Sequence, residues 1–116
     1  MKIIITEEQY KTISERYVNF PIDNDISLEV WEDDNKLEIE SIVIPKHLRG
    51  QSKGTEIMNM IINYSDNINK PIYLTPDISF GATSVNRLKR FYSTFGFKKN
   101  KDYEVSHSMV RYPKSL

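Results

Sequence analysis

The chain has 116 residues, 39% hydrophobic and 28% charged, with 16 basic side chains balancing 16 acidic ones, a size that suits one domain around one core. Its formal net charge of zero excludes the strong positive field that draws proteins to phosphate backbones, so nucleic acid is a disfavoured partner. The absence of cysteine excludes disulfides, cysteine-bound zinc, iron–sulfur clusters and thiol nucleophiles, and the expected compartment is the reducing cytoplasm.

Lys2 is followed by three apolar residues, Ile3, Ile4 and Ile5, against about 7–15 for a signal-peptide core and about 20 for a membrane span, which predicts a soluble chain with no membrane partner. The same β-branched run predicts a first strand. Thr6 with Gln9 makes a capping box before Tyr10, Ile13 and Tyr17, so a helix of about three turns is expected next. Ile26 to Trp31 and Leu37 to Ile44 favour strand, and Asp33-Asp34-Asn35 is turn chemistry, which together predict a β-hairpin. Ile57, Met58, Ile61 and Ile62 share one helical face, predicting a helix from about Gly54 to Ser65. Ile72, Tyr73 and Leu74 behind Pro71 read as a short buried strand, and Thr75 to Ala82 as a loop. Val85, Leu88, Phe91, Tyr92 and Phe95 mark the clearest helix, with Gly96 at a left-handed cap, and Tyr103 to Tyr112 supplies a last strand. The order predicts a mixed α/β sheet flanked by about three helices.

Chemistry concentrates in Pro45 to Thr55, a strand-to-helix loop holding Arg49, Gly50, Gln51, Ser52, Lys53, Gly54 and Thr55. Backbone N–H groups converging at a helix N-terminus, where the dipole adds roughly half a positive charge, bind anions and phosphates above all. The segment lacks the Gly-Lys-Ser/Thr ending of a Walker loop and the spacing of a dinucleotide fingerprint. By itself it also fits an ordinary connecting loop.

Read together with Arg90-Phe91-Tyr92-Ser93-Thr94-Phe95-Gly96-Phe97, the loop resembles the GNAT superfamily of acyl-CoA N-acyltransferases. That family's pyrophosphate pattern, Arg/Gln-x-x-Gly-x-Gly/Ala, is met by Arg49 and Gly54, with Ser52 replacing the first glycine. Ile42-Val43-Ile44-Pro45 is similar to the family's central strand and its proline, and Tyr92-x-x-x-Gly96-Phe97 to its helix ending. The resemblance covers roughly residues 26 to 112. The acceptor-binding N-terminal part is expected to be abbreviated, as in short GNAT-like proteins of phages and mobile elements, and an isoleucine-, asparagine- and lysine-rich composition fits an A/T-rich bacterial or phage genome.

The resemblance implies an acetyl-CoA cosubstrate and an amine acceptor, either a protein lysine or N-terminus or a small amine; a homodimer is left open. It implies that Ile42, Val43 and Ile44 bind the pantetheine arm through their backbone, that the 49–55 loop holds the pyrophosphate, and that Asn86 faces the arm. Tyr92 is implied as general acid to the thiolate, with membership of the apolar stripe as its plainer role. A base is needed for the acceptor, and Glu38 and Glu40, two residues apart on one strand face, are the candidates. His47 and His107 have neither a partner nor a metal-ligand spacing in sequence and are expected to be polar surface residues, Lys98 to Lys101 a solvated turn, and Trp31 a core or sheet-face residue. The competing reading is a CoA-binding or interaction module without catalysis that acts on a host protein.

Overall fold

Alternating apolar residues build a six-stranded sheet in the computed structural model, which describes residues 15–77 and 84–114. In chain order the strands are β1 (Arg16–Tyr17), β2 (Ser27–Glu32), β3 (Leu37–Val43), β4 (Ile72–Leu74), β5 (Lys98–Lys99) and β6 (Met109–Arg111). Two α-helices lie among the described residues, α1 (Lys53–Ile68) and α2 (Val85–Ser93). The spatial order is β1-β2-β3-β4-β6-β5. All neighbouring pairs are antiparallel except β3 with β4, which is parallel and is connected through α1. A parallel neighbour requires such a crossover, and it carries the chain from the end of β3 over one sheet face. No helix among the described residues is long and apolar enough to cross a membrane.

The core lies on that face. Val30, Leu37, Ile39, Ile72, Leu74 and Met109 point from four strands toward Ile57, Met58 and Ile61 of α1, and all are buried. Helix α1 runs past the expected Ser65 to Ile68, because Asn69 takes the left-handed conformation (φ 57°) and Lys70 N–H closes back onto Ser65 O at 3.1 Å. Helix α2 begins with Ser84 accepting a hydrogen bond from Arg87 N–H. Its buried side brings Phe91, Tyr92 and Phe95 against the same core. The turn closes at Gly96 (φ 94°), where Arg111, only 4% exposed, donates Nε–H to Phe95 O at 2.9 Å and Nη1–H to Asp66 at 2.9 Å.

Three expectations change. The strand over Lys2–Ile5 and most of the helix from Thr6 lie outside the described residues, but Tyr17, its expected end, is in β1, paired with Trp31 and in edge-on ring contact with it. Only Met109–Arg111 of the expected last strand pairs as one; residues 100–108 form a loop because Asn100 Nδ2 donates to the carbonyls of Asp102, Val105 and His107. The first half of the basic run is edge strand β5, with Lys98 Nζ 5.0 Å from the Tyr112 ring centroid.

Within β3 the register against β2 changes between Glu29 and Val30. Glu29 faces Ser41 while Val30 faces Ile39, so Glu40 is an extra residue, a β-bulge. Side-chain alternation is reset there: Leu37 and Ile39 before the bulge and Ile42 and Ile44 after it all reach the core. The apolar spacing of two, three and two residues was the sequence signal of this bulge.

Candidate active site

β3 and β4 part at the bulge. Their parallel pairing covers Leu37↔Ile72, Glu38↔Tyr73 and Ile39↔Leu74 and stops there, although β3 continues to Val43. A small cleft opens at the split, lined by Ile39, Glu40, Ser41 and Ile42 on one side, Leu74, Thr75 and Asp77 on the other, and Tyr92 of α2. Backbone beyond a strand split is suited to take an extended ligand arm as an added strand.

Further along β3 the chain turns through a short 3₁₀ segment, Lys46–Leu48, into α1. A second cavity of about 200 Å³ lies there, lined by Ile44, Leu48, Arg49, Gly50, Ser52, Lys53, Gly54, Thr55 and Phe91. Gly50 (φ 78°) and Ser52 (φ 58°) both adopt left-handed backbone, which turns the loop sharply onto the helix. Ser52 is the cap residue, yet its hydroxyl accepts no capping hydrogen bond. The hydroxyl and the first N–H groups of α1 therefore remain available to an anion, and Arg49 and Lys53 add positive charge. Arg49 is braced by its Nε–H donated to Ile44 O at 3.1 Å, and Lys53 is 3.7 Å from Glu56. Gly54 lies against the Phe91 ring: a Cβ there would stand in van der Waals contact, 3.4 Å from Phe91 Cζ.

Ile42 thus lines the first cavity and Ile44 the second. Tyr92 sits at the split, its ring edge-on to Phe91 and Phe97 with centroids 5.4 and 5.9 Å away. Burial pushes its phenol above the ordinary tyrosine range, so it keeps its proton at neutral pH. Gln51 is exposed and donates to His47 O at 3.1 Å, outside the cavity lining. Asn86 is exposed on α2 and lines neither cavity. Among the other sequence candidates, His47 pairs with Asp25 at 3.2 Å and is exposed as expected.

His107 departs from expectation. The loop after β5 lays it over the sheet face opposite the core, with only 17% of its side chain exposed and Nε2 3.7 Å from Glu38 Oε1. Its Nδ1 is 3.0 Å from Thr75 Oγ1, which also accepts the Ser108 N–H at 3.2 Å. Ligand atoms of Glu38, Glu40 and His107 all lie within 4.8 Å of one another. Sequence reasoning found the two carboxylates and missed the imidazole, whose partners are distant along the chain.

A mixed sheet split after a bulged central strand, with a glycine-bearing turn leading from that strand into the crossover helix, is the GNAT-like fold. Solved structures agree. Over 84% of this chain and 97% of the other, the anti-CRISPR protein AcrVA5 superposes with a TM-score of 0.64 at 14% identity. A candidate acetyltransferase from Agrobacterium tumefaciens matches 95% of this chain and 92% of its own with a TM-score of 0.58 at 16% identity. A candidate acetyltransferase of the GNAT family from Bacteroides thetaiotaomicron matches 81% of this chain and 60% of its own, with a TM-score of 0.57 at 16% identity. No protein-family model matches the sequence, and neither does any curated protein.

Proposed function

We propose that the chain is an N-acetyltransferase that moves an acetyl group from acetyl-CoA to an amine by direct attack, both substrates being bound together. The observation that carries this reading is the succession of two cavities along one stretch of chain, one at the strand split beside Ile42 and Tyr92 and one at the 49–55 turn beside Ile44. The likeness to two candidate acetyltransferases supports the reaction class.

The residues fit the cosubstrate: the turn combines left-handed backbone, helix N–H groups and two cations, which suits a pyrophosphate, and the split β3 suits an amide-bearing arm. Acetyl-CoA supplies the acetyl group as an activated thioester. Backbone N–H groups on the open side of the Ile42 to Ile44 stretch orient that carbonyl, the Tyr92 phenol holds a proton for the departing sulfur, and the carboxylates of β3 draw the acceptor nitrogen to the open side of the cleft. With no cysteine in the chain, a thiol acyl-enzyme has no nucleophile.

The test is release of free CoA on incubation with acetyl-CoA and a panel of polyamines, lysine peptides and N-terminal peptides. A second reading, a binding protein acting on a host target, is favoured by the match to an anti-CRISPR protein of nearly the same extent. Capture of the target followed by a search for acetylated lysines separates the two.

A further inference from the structure

We propose that His107 is the base of the acceptor site: with Glu38 and Glu40 it forms a three-acceptor seat for one primary ammonium group, and its Nε2 takes that group's proton. The inference rests on the acetyltransferase reading for its chemistry and on geometry for its location.

A primary ammonium carries three N–H donors directed tetrahedrally. Three acceptors each about 2.9 Å from such a nitrogen stand about 4.7 Å from one another. The ligand atoms of Glu38, Glu40 and His107 all lie within 4.8 Å of one another, and the 3.7 Å edge between His107 Nε2 and Glu38 Oε1 has to open by about 1 Å to reach this triangle. A tetrahedral zinc site, with ligands at about 2.1 Å, needs them about 3.4 Å apart. The 3.7 Å between His107 Nε2 and Glu38 Oε1 lies between the two spacings, and titration with spermidine and with zinc decides between them. Glu40 lines the cleft at the strand split as well as belonging to the seat, so an ammonium held here adjoins the place where the thioester would lie.

The three acceptors are not equivalent. Moving a proton from an alkylammonium to a carboxylate is uphill by about six pKa units between ordinary side chains, and to an imidazole by about four. Thr75 allows Nε2 to be the nitrogen used. With Nδ1–H donated to Thr75 Oγ1, whose other bond comes from Ser108 N–H, the lone pair of Nε2 is left facing Glu38. The charged groups against the ring are Glu38 and Glu40 of β3. In the step the N–H bond breaks, the electron pair stays on nitrogen, and Nε2–H forms. The neutral amine then forms the C–N bond as the C–S bond breaks. The sulfur takes the Tyr92 proton, the phenolate recovers one from the nitrogen, and His107 gives its proton to water. Ammonium and thioester become amide, thiol and one proton.

The experiment uses the full chain with histidine side chains isotopically labelled, titrated with spermidine and, separately, with tetramethylammonium, which has no N–H donor. Spermidine should shift the His107 resonances and tetramethylammonium should not. The Glu38→Gln/Glu40→Gln double variant should weaken spermidine about tenfold or more. His107→Gln keeps an acceptor oxygen, so spermidine affinity should stay within about threefold, while spermidine turnover falls at least about 100-fold and the acid limb of the kcat/KM profile disappears. Turnover and pH profile like wild type in His107→Gln would overturn the proposal, as would spermidine leaving His107 unmoved or micromolar zinc displacing it. A chain that binds no CoA but seats spermidine at His107 would remove the acetyltransferase reading and leave the seat standing.

Discussion

Tyr92 holds its proton at neutral pH as any phenol does, burial raises its pKa further, and the protonated form is the one that can protonate a thiolate. Tyr92→Phe retains the ring contacts with Phe91 and Phe97, so CoA affinity should hold while turnover falls by about 10²–10⁴-fold. Steady-state kinetics beside a calorimetric CoA titration checks this. Ser52 stands in left-handed backbone without a capping bond; Ser52→Gly should raise stability by about 0.5–1 kcal/mol in urea unfolding and leave CoA affinity unchanged or tighter. A tenfold loss of affinity would show instead that the hydroxyl binds phosphate. The contact between Gly54 and Phe91 changes how that glycine must be tested: Gly54→Val disturbs packing as well as the cavity, so Gly50→Val, with nothing within 4 Å of its Cβ, is the companion variant, strained in its own backbone. At this scale the sequence exposed residues whose motif is local, such as Arg49 and Gly54. It hid those defined by distant partners: Glu32, which looks like any strand glutamate, is buried and accepts hydrogen bonds from Tyr64 and, at 2.8 Å, from Lys70.

The bulge at Glu40 is a one-residue device with a two-strand consequence. Removing Glu40 would restore regular alternation through Leu37, Ile39, Ile42 and Ile44 without taking any of them from the core. The deletion variant should therefore fold, with melting no lower than wild type, and should lose most of the thermal shift that CoA produces, since a straight β3 no longer bends away from β4. A deletion variant that melts early, or one still stabilised by CoA, would separate bulge from split. The elements legible in sequence were those with a strong apolar period, α1 and α2, and the β2–β3 hairpin, whose turn residues and β-branched runs mark it despite the bulge. Residues 100–108 were not, because the bonds that hold them as a loop run from one asparagine amide to three carbonyls and leave no hydrophobic period.

Across the whole molecule, charge pairs fasten the periphery to the core. The Arg111 guanidinium holds the Asp66 carboxyl below the usual carboxylate range despite partial burial, tying α1 to β6 and to the end of α2. For Glu32, burial pushes the carboxyl up, but hydrogen bonds from Lys70 and Tyr64 outweigh it and the result is again a lowered pKa. Groups depressed in the folded state contribute stability that is present above the ordinary carboxylate range and is lost as pH falls through it. The melting temperature should hold from neutrality to about pH 5 and drop below it, and Asp66→Asn should cost about 3 kcal/mol at pH 7 while flattening that drop. Differential scanning calorimetry from pH 3 to 7 checks both. The sheet finishes at β5 with two adjacent lysines, Lys98 and Lys99, both exposed. An approaching strand would find a ladder two residues long and a doubled positive charge, which is how a β-protein avoids growing into fibres at its own margin. Growth of the sheet by edge-to-edge pairing is thereby opposed at that margin, and a Lys98→Val/Lys99→Val chain should scatter more light than the parent at equal concentration.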